Sequence, residues 1–110
     1  MASKTVKRFD IYWVDFNPTK GSEIQKTRPC VIISPDDMNQ ALKTVVVVPL
    51  TTTIIDWPFR TTVTIGSRRS SAACDQVRTI AKERLRRKAG VVTAVERRRL
   101  IDILQAMFSE

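Results

Sequence analysis

Arg28 and Thr51 each stand at the end of an apolar run, and both are of a type that can hold a phosphate oxygen. Arginine offers a planar, permanently charged fork of donors. Threonine offers a hydroxyl, which Thr52 repeats. Two carboxylates, Glu23 and Asp75, are candidates to take up a proton. Arg28 lies near the end of a loop, Asn17 to Cys30, that reads Asn-Pro-Thr-Lys-Gly-Ser-Glu-Ile-Gln-Lys-Thr-Arg-Pro-Cys. A turn former marks each end and a glycine its middle, and its cations are suited to a polyanion. Histidine is absent from the chain, which removes the commonest general base and the commonest metal ligand. If the polyanion is RNA, it brings its own nucleophile, the 2′-hydroxyl. The protein must then remove one proton, stabilise charge on a five-coordinate phosphorus and protonate the leaving 5′-oxygen. Arg28 would stabilise the charge, Thr51 or Thr52 would donate to the same oxygens, and Glu23 or Asp75 would accept the proton. Each residue also has an ordinary reading. Arg28 fits a surface ion pair, Thr51 to Thr53 fit edge β residues, Asp75 fits a turn cap or a pair with Arg78, and Glu23 fits a solvated loop.

The elements that must position these groups are mostly short strands. Arg8 to Phe16 is aromatic and β-branched, with Ile11 and Trp13 on one face and Tyr12, Val14 and Phe16 on the other. Apolar residues on both faces suggest a central strand or one against a partner subunit. Pro29 to Ser34 reads as a second strand. Ser34 then fits an N-cap, Pro35 the first helical position, and Asp36 and Asp37 the positive end of a short helix to about Leu42. Thr44 to Pro49, with four consecutive valines, predicts a buried strand ended by its proline. Phe59 to Ile65 alternates with period two, Gly66 to Ser71 reads as a basic turn, and Ala72 to Ile80 as another strand. Ala81 to Lys88 reads as a charged turn or short helix, with a sharp bend at Gly90. Thr93-Ala94-Val95-Glu96 is a capping box, and Leu100, Ile103, Leu104, Met107 and Phe108 mark the apolar face of a late helix. Glu96 to Arg99 would supply its polar side. Five strands and one late helix predict a small, strongly bent antiparallel sheet or barrel, covered by the helix.

The 110 residues fit one domain, residues 1–110. A net charge of +8 argues for a polyanionic partner, nucleic acid or an acidic protein segment. The charge is uneven: Arg60 to Lys88 holds nine cations and two anions. The apolar runs fall far short of the ~20 residues a membrane helix needs, and no secretory signal opens the chain. Cys30 and Cys74 form no C-x-x-C pair and sit in apolar runs, so they read as buried structural thiols in a reducing, cytoplasmic setting. No cofactor or metal is expected.

Four stretches in order carry a resemblance: Ile-Tyr-Trp-Val-Asp-Phe-Asn-Pro-Thr-Lys-Gly-Ser-Glu, Thr-Arg-Pro-Cys-Val-Ile-Ile-Ser-Pro, Val-Val-Pro-Leu-Thr-Thr and Cys-Asp-Gln-Val-Arg-Thr-Ile. From about Phe9 to Leu85 the chain resembles the MazF/PemK family of toxin endoribonucleases. The resemblance implies a mainly β fold with helices, a small SH3-like antiparallel β-barrel of the MazF/PemK/CcdB type with a C-terminal α-helix. It implies a homodimer that cuts single-stranded RNA without metal, leaving a 2′,3′-cyclic phosphate and a 5′-hydroxyl. It also implies a cognate antitoxin with an acidic and apolar tail that occupies the RNA groove. By motif, Arg28 becomes charge stabiliser and candidate acid, Thr51 the phosphate-orienting hydroxyl, Glu23 a candidate base or RNA contact, and Asp75 the aspartate before glutamine. Lys20, Ser22, Lys26, Thr52, Gln76 and Arg78 are expected RNA contacts. The Kid/PemK branch would place an arginine two residues before the aspartate and a histidine before the loop glutamate. Here those are Ala73 and Ser22, so the arrangement centred on Arg28 and Thr51 fits better. Two other functions stay open on the residues: a basic barrel that binds nucleic acid without cutting, and a gyrase-directed toxin of the same fold.

Overall fold

The computed structural model describes residues 5–17 and 26–110. Seven strands form one curled antiparallel sheet: β1 (Asp10–Asp15), β2 (Thr27–Ile32), β3 (Thr44–Thr51), β4 (Arg60–Ile65), β5 (Arg68–Ala73), β6 (Arg78–Ala81) and β7 (Leu85–Val91). Their order is β4-β5-β3-β2-β1-β7, with β6 also on β3. Two helices complete the fold, α1 (Asp36–Ala41) and α2 (Ala94–Phe108).

β1 lies between β2 and β7, which explains its two apolar faces. Ile11 enters a core with Val31, Val48, Leu50, Val63 and Leu100 of α2. Tyr12, Val14 and Phe16 enter a second core with Cys30, Ile32, Val45, Val47 and Leu85. Cys30 and Cys74 are free and buried, as expected, and burial pushes their thiols up to about 12 and about 11. They are packing groups, not nucleophiles. Among the described residues, no helix is long and apolar enough to cross a membrane.

Several boundaries differ from the sequence expectation, each for a physical reason. β3 runs past Pro49 to Thr51. Its residues Thr44 to Val47 pair with β6, while Leu50 and Thr51 pair with β5. Pro49 therefore sits where the strand changes partner, at a point where a missing N–H breaks no ladder bond. The basic turn is shorter than expected: only Gly66 and Ser67 lie between Ile65 and Arg68, and Gly66 takes φ +60°. Glycine first in a two-residue loop is the geometry that matches strand twist. The expected strand from Ala72 to Ile80 is broken by a 3₁₀ turn at Cys74–Gln76. Ala81 to Lys88 gives one 3₁₀ turn and then β7, whose Gly90 lies opposite Ile11 rather than at a bend. In the short helix, the cap position falls on Pro35, without a side-chain bond. Ser34 instead donates to Asn39 and accepts from the Val46 amide, a buried tie between α1 and β3.

The capping box at α2 forms as the sequence predicts. Glu96, expected on the polar side, is instead buried. One carboxylate oxygen accepts from the Thr93 amide at 3.1 Å, and the other accepts from the Thr64 amide of β4 at 2.9 Å. The cap residue thus also holds the helix to the sheet. Thr93→Ala should cost about 1 kcal/mol. Glu96→Ala, which also strands the Thr64 amide, should cost about 2–3 kcal/mol by urea unfolding. Equal losses in the two variants would contradict the clamp on β4.

Candidate functional site

The β2–β3 ladder ends at Cys30 opposite Pro49. Continuing that register by two residues brings Arg28 level with Thr51. Pro29, the next residue outward on β2, cannot donate a backbone hydrogen bond, so the ladder stops there and the strand ends are left to part. A groove of about 400 Å³ lies there, lined by Trp13, Thr27, Arg28, Pro29 and Leu50 to Thr53 on one side. Ile65, Arg68, Arg69 and Ser70 of the β4–β5 hairpin form the other side. A second groove of about 440 Å³ is lined by Phe16, Lys26, Arg28, Pro49, Gln76 and Arg78. Arg28 borders both.

Arg28 is exposed and belongs to β2, one position inside the strand rather than in the loop. It makes no ion pair among the described residues. Thr51 ends β3, and its hydroxyl oxygen accepts from the Thr53 amide at 3.2 Å. A hydroxyl that already accepts is left with its proton to donate. Thr52 lies beside it in the same groove, whereas Lys26, Gln76 and Arg78 line the other. The Arg78 guanidinium stacks 4.9 Å above the Phe16 ring, leaving an aromatic platform in the second groove. Among the described residues, no carboxylate lines either groove.

The expectations for Lys20, Ser22 and Glu23 fall outside the described residues. The described residues on either side of them are well tied. The Phe16 amide donates to the Lys26 carbonyl at 2.9 Å, and Asn17 Oδ1 accepts from the Lys26 amide at 2.7 Å. Arg84 donates to the carbonyls of Asp15 and Asn17, and Arg86 pairs with Asp15 at 2.8 Å.

Asp75 stands apart from both groove linings. Arg60 grips it through two bonds, Nε to Oδ1 at 2.9 Å and Nη2 to Oδ2 at 3.2 Å. Arg60 lies directly across the ladder from Ala73, so β4 supplies the guanidinium that position 73 lacks. The Trp57 ring covers that guanidinium at 5.0 Å and stacks on Phe59. Sequence reasoning missed this pair, and it missed Arg68 and Arg69 as groove residues. Only the alternation of Phe59 to Ile65, followed by Gly-Ser, signalled the hairpin that places them.

Comparison with known proteins gives a consistent result. Residues 7–108 match the family model described as PemK-like, MazF-like toxin of type II toxin-antitoxin system. The chain is 40% identical over 88 residues to the endoribonuclease toxin MazF of Escherichia coli K12, covering 79% of each chain. It is 33% identical to endoribonuclease MazF9 of Mycobacterium tuberculosis, covering 91% of this chain and 93% of the other. Its fold is similar to that of MazF in a MazE–MazF crystal structure from Deinococcus radiodurans, with a TM-score of 0.82, 19% identity and 96% of each chain covered. It is also similar to a mycobacterial endoribonuclease solved with its cognate antitoxin, with a TM-score of 0.79, 22% identity and 92% of each chain covered.

The Asp75–Arg60 pair has a pH signature. The Arg60 hydrogen bond is the main cause that holds the Asp75 carboxyl below its usual value, against a smaller opposing effect of burial. A depressed folded pKa stabilises the fold above the unfolded value, about 3.9, and that gain is lost as pH falls through the folded value. Asp75→Asn should therefore lower Tm by a near-constant amount between about pH 7 and pH 5, and the gap should close below about pH 4. A gap that persists undiminished to about pH 2 would contradict the pairing.

Proposed function

The chain belongs to the PemK-like, MazF-like family of type II toxin–antitoxin toxins, and from that membership we propose that it is an endoribonuclease that cuts single-stranded RNA at short sequences. The observation that carries the reading is Arg28, which makes no ion pair among the described residues, between two cationic grooves and beside a hydroxyl that accepts from the Thr53 amide and keeps its proton to donate. In this reading the strand crosses Arg28 with nucleotides on either side. The guanidinium fork binds the non-bridging oxygens of the scissile phosphate and strengthens as charge develops on them. Thr51 donates to the same phosphate and fixes its orientation.

The 2′-oxygen attacks the adjacent phosphorus as its proton passes to a base. The bond to the 5′-oxygen breaks, and that oxygen takes a proton, for which Arg28 is the candidate donor. The products are a 2′,3′-cyclic phosphate and a 5′-hydroxyl. Asp75, tied to Arg60 and pushed to a lower pKa, is a poor base near neutral pH. Glu23, which falls in sequence between β1 and β2, is the remaining carboxylate candidate. In the chemistry proposed, Arg28 meets the developing negative charge that a metal ion would otherwise meet. Gln76 and the Phe16–Arg78 stack suit base edges and base faces, respectively.

Cutting messenger RNA in the cytoplasm would halt translation and growth. The cationic grooves also suit the acidic, apolar tail of a cognate antitoxin, which would fold on binding and exclude RNA. The proposed working unit is a homodimer. Val95 and Phe108 of α2 are exposed apolar side chains, as a chain with a further apolar contact to make would present.

The test is a long defined transcript in excess EDTA with mapped 5′ ends. Wild type should cut at a short recurring sequence. Arg28→Ala should lose at least about 10²–10³ in rate while keeping its Tm. An uncut transcript, cutting only after a divalent ion is restored, or full activity of Arg28→Ala would overturn the proposal.

A further inference from the structure

The β4–β5 hairpin brings two further cations to the same groove. Arg68 and Arg69 are exposed and border it together with Arg28 and Thr51. Neither side chain makes an ion pair or hydrogen bond among the described residues. The frame beneath them is fixed. Six ladder pairs join β4 to β5. The Ser70 hydroxyl donates to the Val63 carbonyl at 2.7 Å, and the Thr64 amide is held by Glu96. Thr51 itself pairs with Ser71, two residues from Arg69, so the hairpin and the site hydroxyl share one ladder.

Resting on the endoribonuclease reading, we propose that this hairpin is the second wall of the substrate site, and that Arg68 and Arg69 hold phosphates of the strand other than the scissile one. The polar groups on this side are guanidinium and hydroxyl, which suit phosphate and sugar oxygens. The Gln76 amide and the Phe16–Arg78 stack lie in the other groove, while Trp13 forms part of the floor of this one. The hairpin therefore grips the backbone without regard to sequence, and base choice is made across Arg28. An ordinary solvated basic turn would face outward. This pair instead borders a concave surface floored by Trp13, Leu50 and Ile65.

The test uses a labelled 2′-O-methyl RNA covering a mapped cleavage segment, titrated across a salt series. The variants are Arg68→Ala/Arg69→Ala, the charge-keeping Arg68→Lys/Arg69→Lys, and Arg98→Ala/Arg99→Ala on the exposed side of α2 as a control of equal net charge. The alanine pair should weaken binding about tenfold near physiological salt and flatten the log–log salt slope by about 1.4, or about 0.7 per phosphate. KM for cleavable RNA should rise by a similar factor, with kcat, cleavage map and Tm unchanged. The lysine pair should keep most of the slope. An unmoved slope with an active wild type overturns this inference alone, and a wild type that cuts no RNA removes both readings. An equal effect of the control pair, a fall in kcat alone, or an altered cleavage map would each overturn it. So would unchanged RNA binding with loss of binding to an acidic peptide.

Discussion

The antiparallel register between β2 and β3 is the constraint on which the site depends. It is set deep in the sheet, where Val31 faces Val48 and Ile32 faces Val47, all but excluded from water. A slip of one residue would turn every side chain of β2 to the wrong face, so burial enforces the pairing. The same register, carried two residues toward the surface, sets Arg28 level with Thr51. Pro29 ends the backbone ladder there, where the groove opens. The proposed catalytic pair is thus positioned by the register of a hydrophobic core.

Electrostatics follow from the same arrangement. Carboxylates near the sheet are paired: Asp10 with Lys88 at 3.3 Å, Asp15 with Arg86, Asp75 with Arg60. Arg28, Arg68 and Arg69 border the grooves without such partners among the described residues. Part of the excess positive charge is therefore available where a polyanion would lie. Exposed ion pairs contribute little stability individually. Their consequence here is to decide which cations remain available.

Much of this was legible in the sequence where local signals agree with tertiary ones. The period-two pattern of β1 gave its two faces, and Thr93 with Glu96 marked the start of α2. Arg28 and Thr51 could be singled out by type and by their places at strand ends. What was not legible depends on partners distant in sequence. Arg60 meets Asp75 only because the hairpin register sets it opposite Ala73. Arg68 and Arg69 read as a solvated turn because nothing local shows that their hairpin faces Thr51. β7 was hidden by its own charges: Arg86, Arg87 and Lys88 suit an edge strand that must stay soluble, yet they mask the period. Pro49 looked like a stop because a proline breaks a ladder in general. It does not where the strand is changing partner.

The central claim is that Arg28 and Thr51 act on one phosphate as a unit. A double-mutant cycle in single-turnover cleavage measures this most directly, with Arg28→Ala, Thr51→Ala and the combined variant on one defined RNA. Groups that act together are strongly non-additive. The combined variant should then cut nearly as fast as Arg28→Ala alone. Losses that simply multiply would mean that the two side chains serve separate steps, and the account would fail.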